Sequence, residues 1–456
     1  MRLIPKDIEV TDDEGFTPEK DIFERKEFGE RLTQLFERIE HPLVAILDAP
    51  WGMGKTTFTK MWAGHLRNLG FPVVYFDAFQ NDYLDDPFVA ISGEVFSLYR
   101  DKVPQEVERQ DFKENAIKVG KAVFRSGAKV GIKVLTLGVL DGDDYEDAAK
   151  EISKELASLT DRYIEDRLEK HEESKSDYKN FRISLERIGK EIAEATRLDG
   201  SSLKPLIFIV DELDRCRPMF SLELLEKIKH FFSVEGVHFV LVTNLQQLEQ
   251  AVNNTYGGQE GHLYLQKFAH AVIKLPEDVS TQRYVKYLFD NLNIATQQRE
   301  SVAHLLTTIA DIKKFSLRQI ERICVNILLI YATAPGGKLP LVETLTGLCI
   351  LKVGEPSLYA RLVSEQNKAS PKLREQIREY FQIVDWPEAD SGFRDIFSNM
   401  LDYCFPHVKL GDKFASEIER ERRNSGMPNR EKVLRRFISI MEATKLIELP
   451  PDSPKQ

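Results

Sequence analysis

Short, continuously apolar segments alternate along the chain with longer segments of helical periodicity. Four runs, at 43–47, 72–76, 206–210 and 237–242, are almost entirely apolar, as expected of strands buried on both faces of a parallel sheet. Around them, apolar residues recur at the three- and four-residue spacing of helices with one buried face. This alternation predicts an α/β fold built on a doubly wound parallel sheet.

Changes in the same pattern predict how the chain is divided. A charged, helical stretch interrupts the strand signals, and its part at 150–197 is predicted to form a helical hairpin that projects from the sheet. The predicted divisions are a leader at 1–20, a core at 21–275 interrupted by a helical insertion at 97–200, a helical lid at 276–345 and a helical C-terminal interaction domain at 346–456.

Composition narrows the class of protein. The chain has 456 residues, is 42% hydrophobic and carries a formal net charge of −10, so it can bury a large core and is not expected to be coated with nucleic acid. Its four cysteines are scattered, which excludes a disulfide framework and favours the reducing cytoplasm. No uncharged apolar run reaches the roughly 18 residues that a membrane-spanning helix needs.

The segment at 49–56 has the spacing of a phosphate-binding loop. It matches G-x-x-x-x-G-K-[ST] with Ala49 in place of the first glycine, and it lies between a predicted strand and a predicted helix. In such a loop Lys55 binds the β- and γ-phosphates of a nucleotide and the Thr56 hydroxyl binds Mg²⁺. The predicted cofactors are therefore ATP and Mg²⁺. The predicted nucleotide-contacting residues are Trp51, Gly52, Met53, Gly54, Lys55, Thr56 and Thr57.

Polar residues follow two of the predicted strands. Asp211 and Glu212 come directly after the run at 206–210, where Asp211 is the second predicted Mg²⁺ ligand and Glu212 the predicted general base that polarises water. Asn244 follows the run at 237–242, and it is predicted to sense the γ-phosphate if this strand lies between the other two. An ordinary helix N-cap is an equally good interpretation of Asn244.

These motifs, in this order, resemble the KAP family of P-loop NTPases. Residues 49–56 resemble the family's W-G-x-G-K-[ST] loop, 75–79 (YFDAF) its W-F-N-A-W motif, 211–216 (DELDRC) its D-D-L-D-R-C motif, 264–268 (YLQKF) its Y-L-x-K-I segment and 316–322 (SLRQIER) a sensor-2 motif. The resemblance covers roughly 21–330. It implies the additional-strand class of P-loop NTPases, in which the catalytic acid follows the Mg²⁺-binding Asp.

The resemblance also implies roles that the spacing alone does not. Arg318 resembles the sensor-2 arginine and is the predicted source of positive charge at the γ-phosphate, with Arg215, Arg217 and Arg322 as further candidates. For each of these arginines, a structural ion pair is the competing interpretation. Bacterial members of the family are often tied to phage exclusion, and family insertions often carry transmembrane helices. Because this insertion shows none, the chain resembles a soluble bacterial member.

The expected function is Mg²⁺-dependent ATP hydrolysis that couples nucleotide state to the assembly of a homo-oligomer or of a partner effector protein, in antiphage defence. The alternatives are a slow nucleotide-binding scaffold or switch, and a DNA-stimulated ATPase. Two basic patches, at 117–133 and 420–436, are the candidate partner surfaces. Contact with nucleic acid or with a membrane surface is less favoured, because acidic residues follow the first patch and glycines weaken its helix.

Overall fold

A computed structural model of the chain describes residues 8–84, 86–103, 107–125, 165–258, 260–276, 280–292, 299–333, 342–365, 370–381, 419–420, 423 and 430–443. Parts of both basic patches, at 126–133 and at 421–422 and 424–429, lie outside these residues, as does Asp85. The described residues belong to two compact units. The first consists of Val10–Pro50 and Gly54–Glu277, and the second of Met1–Glu9, Trp51–Met53 and Asp278–Gln456.

A parallel sheet forms the centre of the first unit. Its five strands in the described residues are β1 (Val44–Asp48), β2 (Val73–Asp77), β3 (Leu206–Asp211), β4 (Val237–Thr243) and β5 (Ala271–Lys274), in the spatial order β2-β3-β4-β1-β5. All of their pairings are parallel. Strand β4 therefore lies between β1 and β3, and the carboxyl ends of these three strands meet at one edge of the sheet.

Four of these strands correspond to the four apolar runs of the sequence. Every residue of β3 and β4 is buried, which is why those runs contain so few polar residues. The short strand β5 was not predicted from the sequence. Its residues alternate between half-buried and exposed, as is typical of an edge strand, and such a pattern over four residues carries little signal.

Helices in the described residues of the first unit flank these strands. They are α1 (Lys26–Arg38), α2 (Lys55–Asn68), α3 (Ala78–Asn81), α4 (Pro87–Lys102), α5 (Val107–Arg125), α6 (Glu165–Thr196), α7 (Pro218–Lys227), α8 (Leu245–Tyr256) and α9 (Gly261–Leu265), with a 3-10 turn at Leu213–Arg215 and a π-helical turn at Ile228–Phe232.

The described end of the insertion packs into the core instead of projecting from it. On α6, Phe181, Leu185, Ile188 and Ile192 are buried in the same apolar cluster as the strands. The Phe181 ring lies 5.0 Å from that of Phe88 on α4 and 5.5 Å from that of Phe112 on α5, centroid to centroid. The prediction of a projecting hairpin is therefore wrong for this helix. From Asp177 onward its charged residues are exposed or half-buried, and they obscure a narrow buried stripe in the sequence.

The regular elements of the second unit in the described residues are all helices. Its helices are α10 (Thr281–Asn291), α11 (Arg299–Lys313), α12 (Leu317–Thr333), α13 (Val342–Gly354), α14 (Pro356–Ser364), α15 (Pro371–Phe381) and α16 (Arg430–Ala443). The last of them is joined to the others by polar contacts, since Lys352 Nζ donates to the Met441 carbonyl at 2.9 Å and the Tyr359 hydroxyl donates to Glu442 at 3.1 Å. In neither unit does the described part of the chain contain a helix with the length and apolar content to cross a bilayer.

Candidate nucleotide-binding site

The loop between β1 and α2 has the backbone geometry that its glycines allow. Gly52 has a φ of 81° and Gly54 a φ of 73°, both in the left-handed region that residues with a Cβ rarely enter. Gly54 is the N-cap of α2 and no side chain caps that helix. The first amides of α2 therefore lie at a glycine-rich turn, the arrangement that favours an anion at a helix N-terminus.

Lys55 is held against the loop that precedes it. Its Nζ donates to the Ala49 carbonyl at 2.6 Å and to the Pro50 carbonyl at 3.3 Å. Burial lowers the pKa of Lys55, while the charges of Asp214, Asp211 and Asp48 act in the opposite direction. The ammonium group is thus placed beside the loop, near the acidic residues at the carboxyl ends of the strands.

The two predicted metal ligands come together. Asp211 ends β3 and is 1% exposed. Burial raises the pKa of Asp211, whereas the Tyr75 hydroxyl and the neighbouring Thr56 side chain at the start of α2 lower it. A hydroxyl oxygen next to a carboxylate is the kind of donor pair that Mg²⁺ takes alongside nucleotide phosphates and water. The residues present therefore fit a Mg²⁺ ion.

Glu212 has an unusual backbone conformation. Its φ is 59° and its ψ 28°, which places a non-glycine residue in the left-handed region immediately after β3. Its carboxylate pairs with the Arg215 guanidinium at 2.9 Å. Burial raises the pKa of Glu212, and the charge of Arg215 opposes that rise. Arg215 therefore contacts the predicted general base itself.

Asn244 caps the helix that follows β4. Its side-chain oxygen accepts from the Gln247 amide at 3.4 Å, and Asp48 at the end of β1 accepts from the Leu245 amide at 2.9 Å. The N-cap interpretation thus describes the contact that Asn244 makes, and its sensing role stays a prediction. The neighbouring Thr243 is fully buried, and its hydroxyl has no hydrogen-bond partner among the described residues.

The other predicted residues are placed as follows. Arg217 pairs with Asp82 at 2.7 Å and also donates its backbone amide to that carboxylate, so it makes a structural ion pair. Arg318 lies against Gly52 within the second unit, where a Cβ on the glycine would come within 2.9 Å of the Arg318 Cβ. Trp51, Met53, Thr57 and Arg322 are half-buried.

Tyr75 belongs to this neighbourhood, although its side chain was not predicted to have a role. It lies on β2, and its hydroxyl contacts Asp211 at 2.5 Å and the Thr59 hydroxyl of α2 at 3.1 Å. The available signal was its place in the YFDAF segment, where a tyrosine stands for the tryptophan of the W-F-N-A-W motif. That signal identifies the segment but not the contact.

The sequence model of the KAP family P-loop domain matches residues 25–334. The chain belongs to the KAP family. Together with the parallel sheet, this membership confirms the predicted α/β P-loop NTPase fold, and the position of β4 between β1 and β3 is that of the additional strand. The KAP domain implies that the protein binds a nucleotide.

Other comparisons add little to the family match. No curated protein sequence matches the chain. The chain is similar to a solved structure of the Aeropyrum pernix ORC2 protein in ADPNP and ADP complexes. The match covers 96% of this chain and 99% of the ORC2 chain, with 11% sequence identity and a TM-score of 0.35. A TM-score this low does not indicate a shared function.

Proposed function

We propose that this KAP protein hydrolyses ATP with Mg²⁺ and couples its nucleotide state to the assembly of a homo-oligomer or a partner effector. The observation that supports hydrolysis is the hydrogen-bonded link from Asp211 through the Tyr75 hydroxyl to Thr59, one helical turn after Thr56, which brings the segments of the two predicted metal ligands together. Glu212, the next residue, has its carboxylate at the same end of β3. Lys55, the predicted metal ligands and the predicted general base are therefore all contributed by elements of one unit.

Each residue has a defined part in the proposed reaction. Thr56 and Asp211 would hold Mg²⁺, which supplies charge neutralisation at the β- and γ-phosphates. Lys55 exchanges its contacts with the Ala49 and Pro50 carbonyls for phosphate oxygens, a change that needs only rotation of its flexible side chain. Glu212 accepts the proton of the attacking water, a role that needs the ionised form that Arg215 favours.

The test compares phosphate release and nucleotide binding in three variants. Lys55→Ala is expected to lose ATP binding, and Glu212→Gln to keep ATP binding but lose phosphate release. Lys60→Ala is the matched control, because Lys60 is an exposed lysine on the same helix. Equal ATP affinity in Lys55→Ala and in the wild type would overturn the site assignment. Phosphate release by Glu212→Gln at the wild-type rate would overturn the role of Glu212.

A slow nucleotide switch is the second candidate function, and the Glu212–Arg215 ion pair favours it. A carboxylate held by a guanidinium at 2.9 Å is a weaker base toward water until the pair opens. In a switch, phosphate release by the wild type equals that of Lys55→Ala although ATP still binds. Release well above the Lys55→Ala background excludes the switch and supports the ATPase.

Coupling to assembly and a role in antiphage defence rest on family membership. Native mass spectrometry of the full chain, with and without ATP and Mg²⁺, tests the first. The Glu212→Gln variant is expected to accumulate the assembled state, because it retains ATP. An unchanged mass in the wild type and in this variant would contradict assembly. Equal phage plating on cells with the wild-type gene region and with its Lys55→Ala form would contradict defence.

A further inference from the structure

The Tyr75 hydroxyl lies where three elements of the first unit meet. Its oxygen is 2.5 Å from Asp211 Oδ2 on the neighbouring strand β3 and 3.1 Å from Thr59 Oγ1 on α2. Thr59 lies one helical turn after Thr56, the other predicted metal ligand. The phenol thus contacts one ligand directly and the helix that carries the second.

The direction of these hydrogen bonds follows from the groups involved. An ionised carboxylate only accepts, so the Tyr75 proton is directed to Asp211. The single Thr59 proton has three acceptors within 3.1 Å, which are the phenol oxygen and the Lys55 and Thr56 carbonyls. Burial, followed by the charge of Asp211, raises the pKa of Tyr75 far above its ordinary value, so the phenol keeps this proton. The other oxygen, Asp211 Oδ1, accepts from the Glu212 amide at 2.8 Å.

These contacts determine the orientation of the Asp211 carboxylate. With Oδ1 held by a backbone amide and Oδ2 by a phenol, rotation of the carboxylate breaks both hydrogen bonds. Carboxylates that bind metals are commonly held by such outer partners, and removing one partner typically lowers metal affinity by roughly 10–100-fold. A bond of this kind leaves further lone pairs on the same oxygen for a cation.

We propose that Tyr75 is a positioning residue that orients Asp211 for the divalent cation bound with the nucleotide. This inference rests on the proposed function and adds to it a residue from β2. In this chain the orientation depends on an O–H donor, so the phenol ring alone is not sufficient. The ring does not contact the nucleotide in this scheme, and only the metal-dependent part of nucleotide binding responds to the hydroxyl.

The test measures binding of a fluorescent ATP analogue to the full chain while Mn²⁺ or Mg²⁺ is titrated. Tyr75→Phe is expected to raise the cation concentration for half-maximal effect by roughly 10–100-fold. The affinity measured in EDTA is expected to stay at the wild-type value. The electron paramagnetic resonance of Mn²⁺ with ATP provides a direct second readout, in which the bound fraction falls in parallel.

The matched control is Tyr99→Phe. The Tyr99 hydroxyl donates to Glu191 at 2.7 Å, so this variant removes another buried tyrosine–carboxylate bond from the same unit, between α4 and α6. It is expected to leave the cation dependence unchanged. Thr59→Val is the second test variant, because it removes the other partner of the phenol, and it is expected to raise the half-maximal cation concentration by a smaller factor.

The outcomes separate this inference from the proposed function. Wild-type binding that does not depend on the cation overturns both. Wild-type cation dependence that is retained in Tyr75→Phe overturns the positioning role alone. If Tyr75→Phe does not fold, Thr59→Val decides, and a wild-type cation dependence in that variant overturns the role. An equal shift in Tyr75→Phe and Tyr99→Phe indicates general loosening of the unit and also overturns it.

Discussion

The left-handed conformation of Glu212 predicts a measurable conflict between stability and function. A residue with a Cβ is less stable than glycine in this region by roughly 1–2 kcal/mol, and the greater freedom of glycine in the unfolded chain offsets roughly 0.4–1 kcal/mol of that difference. Glu212→Gly and Glu212→Ala both remove the carboxylate and its ion pair with Arg215. The glycine variant should therefore be the more stable of the two by about 1 kcal/mol.

The assay follows urea unfolding of the first unit through Trp62. This side chain is fully buried and donates to Thr33 Oγ1 at 3.0 Å, so its fluorescence reports on that core. The chain has three tryptophans, and replacing Trp51 and Trp386 by Phe leaves Trp62 as the only one. A difference of about 1 kcal/mol separates the urea midpoints by roughly 0.3–1 M.

A matched pair of variants isolates the backbone effect from the function. Glu24 has a φ of 53° and belongs to the same unit, so Glu24→Gly and Glu24→Ala should show a difference of the same sign. Phosphate release should be lost in both Glu212 variants and kept in both Glu24 variants. If Glu212→Ala is as stable as Glu212→Gly, the backbone conformation at 212 carries no strain and the prediction is wrong.

Three further predictions concern charged groups. Burial lowers the pKa of His238 from 6.5 to about 4, so folding disfavours its protonated form and stability is lost as the pH falls through that interval. Between pH 7 and pH 5 this loss of stability is about 2 kcal/mol. In urea unfolding, His238→Gln should show a smaller loss over this interval. The control His262→Gln, which alters an exposed histidine, should show the full loss. Arg217→Gln should destabilise the first unit by about 1 kcal/mol in the same assay, since it leaves the largely buried Asp82 without its cation. An unchanged urea midpoint would contradict this prediction. Arg215→Gln should raise the pKa of Glu212 and move the acidic limb of the rate profile for phosphate release to higher pH, whereas an unmoved limb would exclude Glu212 as the titrating base.

The sequence predicted those parts of the fold that depend on local pattern. Four of the strands lie on apolar runs because strands buried on both faces have almost no polar positions. The edge strand β5 was missed because an alternating pattern over four residues is too short to recognise. Helix α6 was recognised as charged, but its packing was not, since a narrow stripe of apolar residues is diluted by the charges around it.

In the candidate site, too, the residue types could be predicted from the sequence, whereas their contacts could not. The residues of the loop at 49–56 and of the acidic pair at 211–212 could be predicted because their chemistry requires particular residue types at particular spacings. The contact of Arg215 with Glu212, rather than with one of the neighbouring aspartates, depends on the backbone turn after β3. Several acids lie within reach of such an arginine in sequence, and spacing alone does not choose among them.

The alternation of strands and helices, the predicted phosphate-binding loop and the membership of the KAP family all follow from the amino-acid sequence. Which distant residues meet depends instead on how the whole unit folds. Tyr75 and Asp211 are 136 positions apart, and the sheet brings them to a hydrogen bond of 2.5 Å. Local periodicity reports how deeply a residue is buried, whereas its partner depends on strand order and register, which arise from the packing of the whole unit.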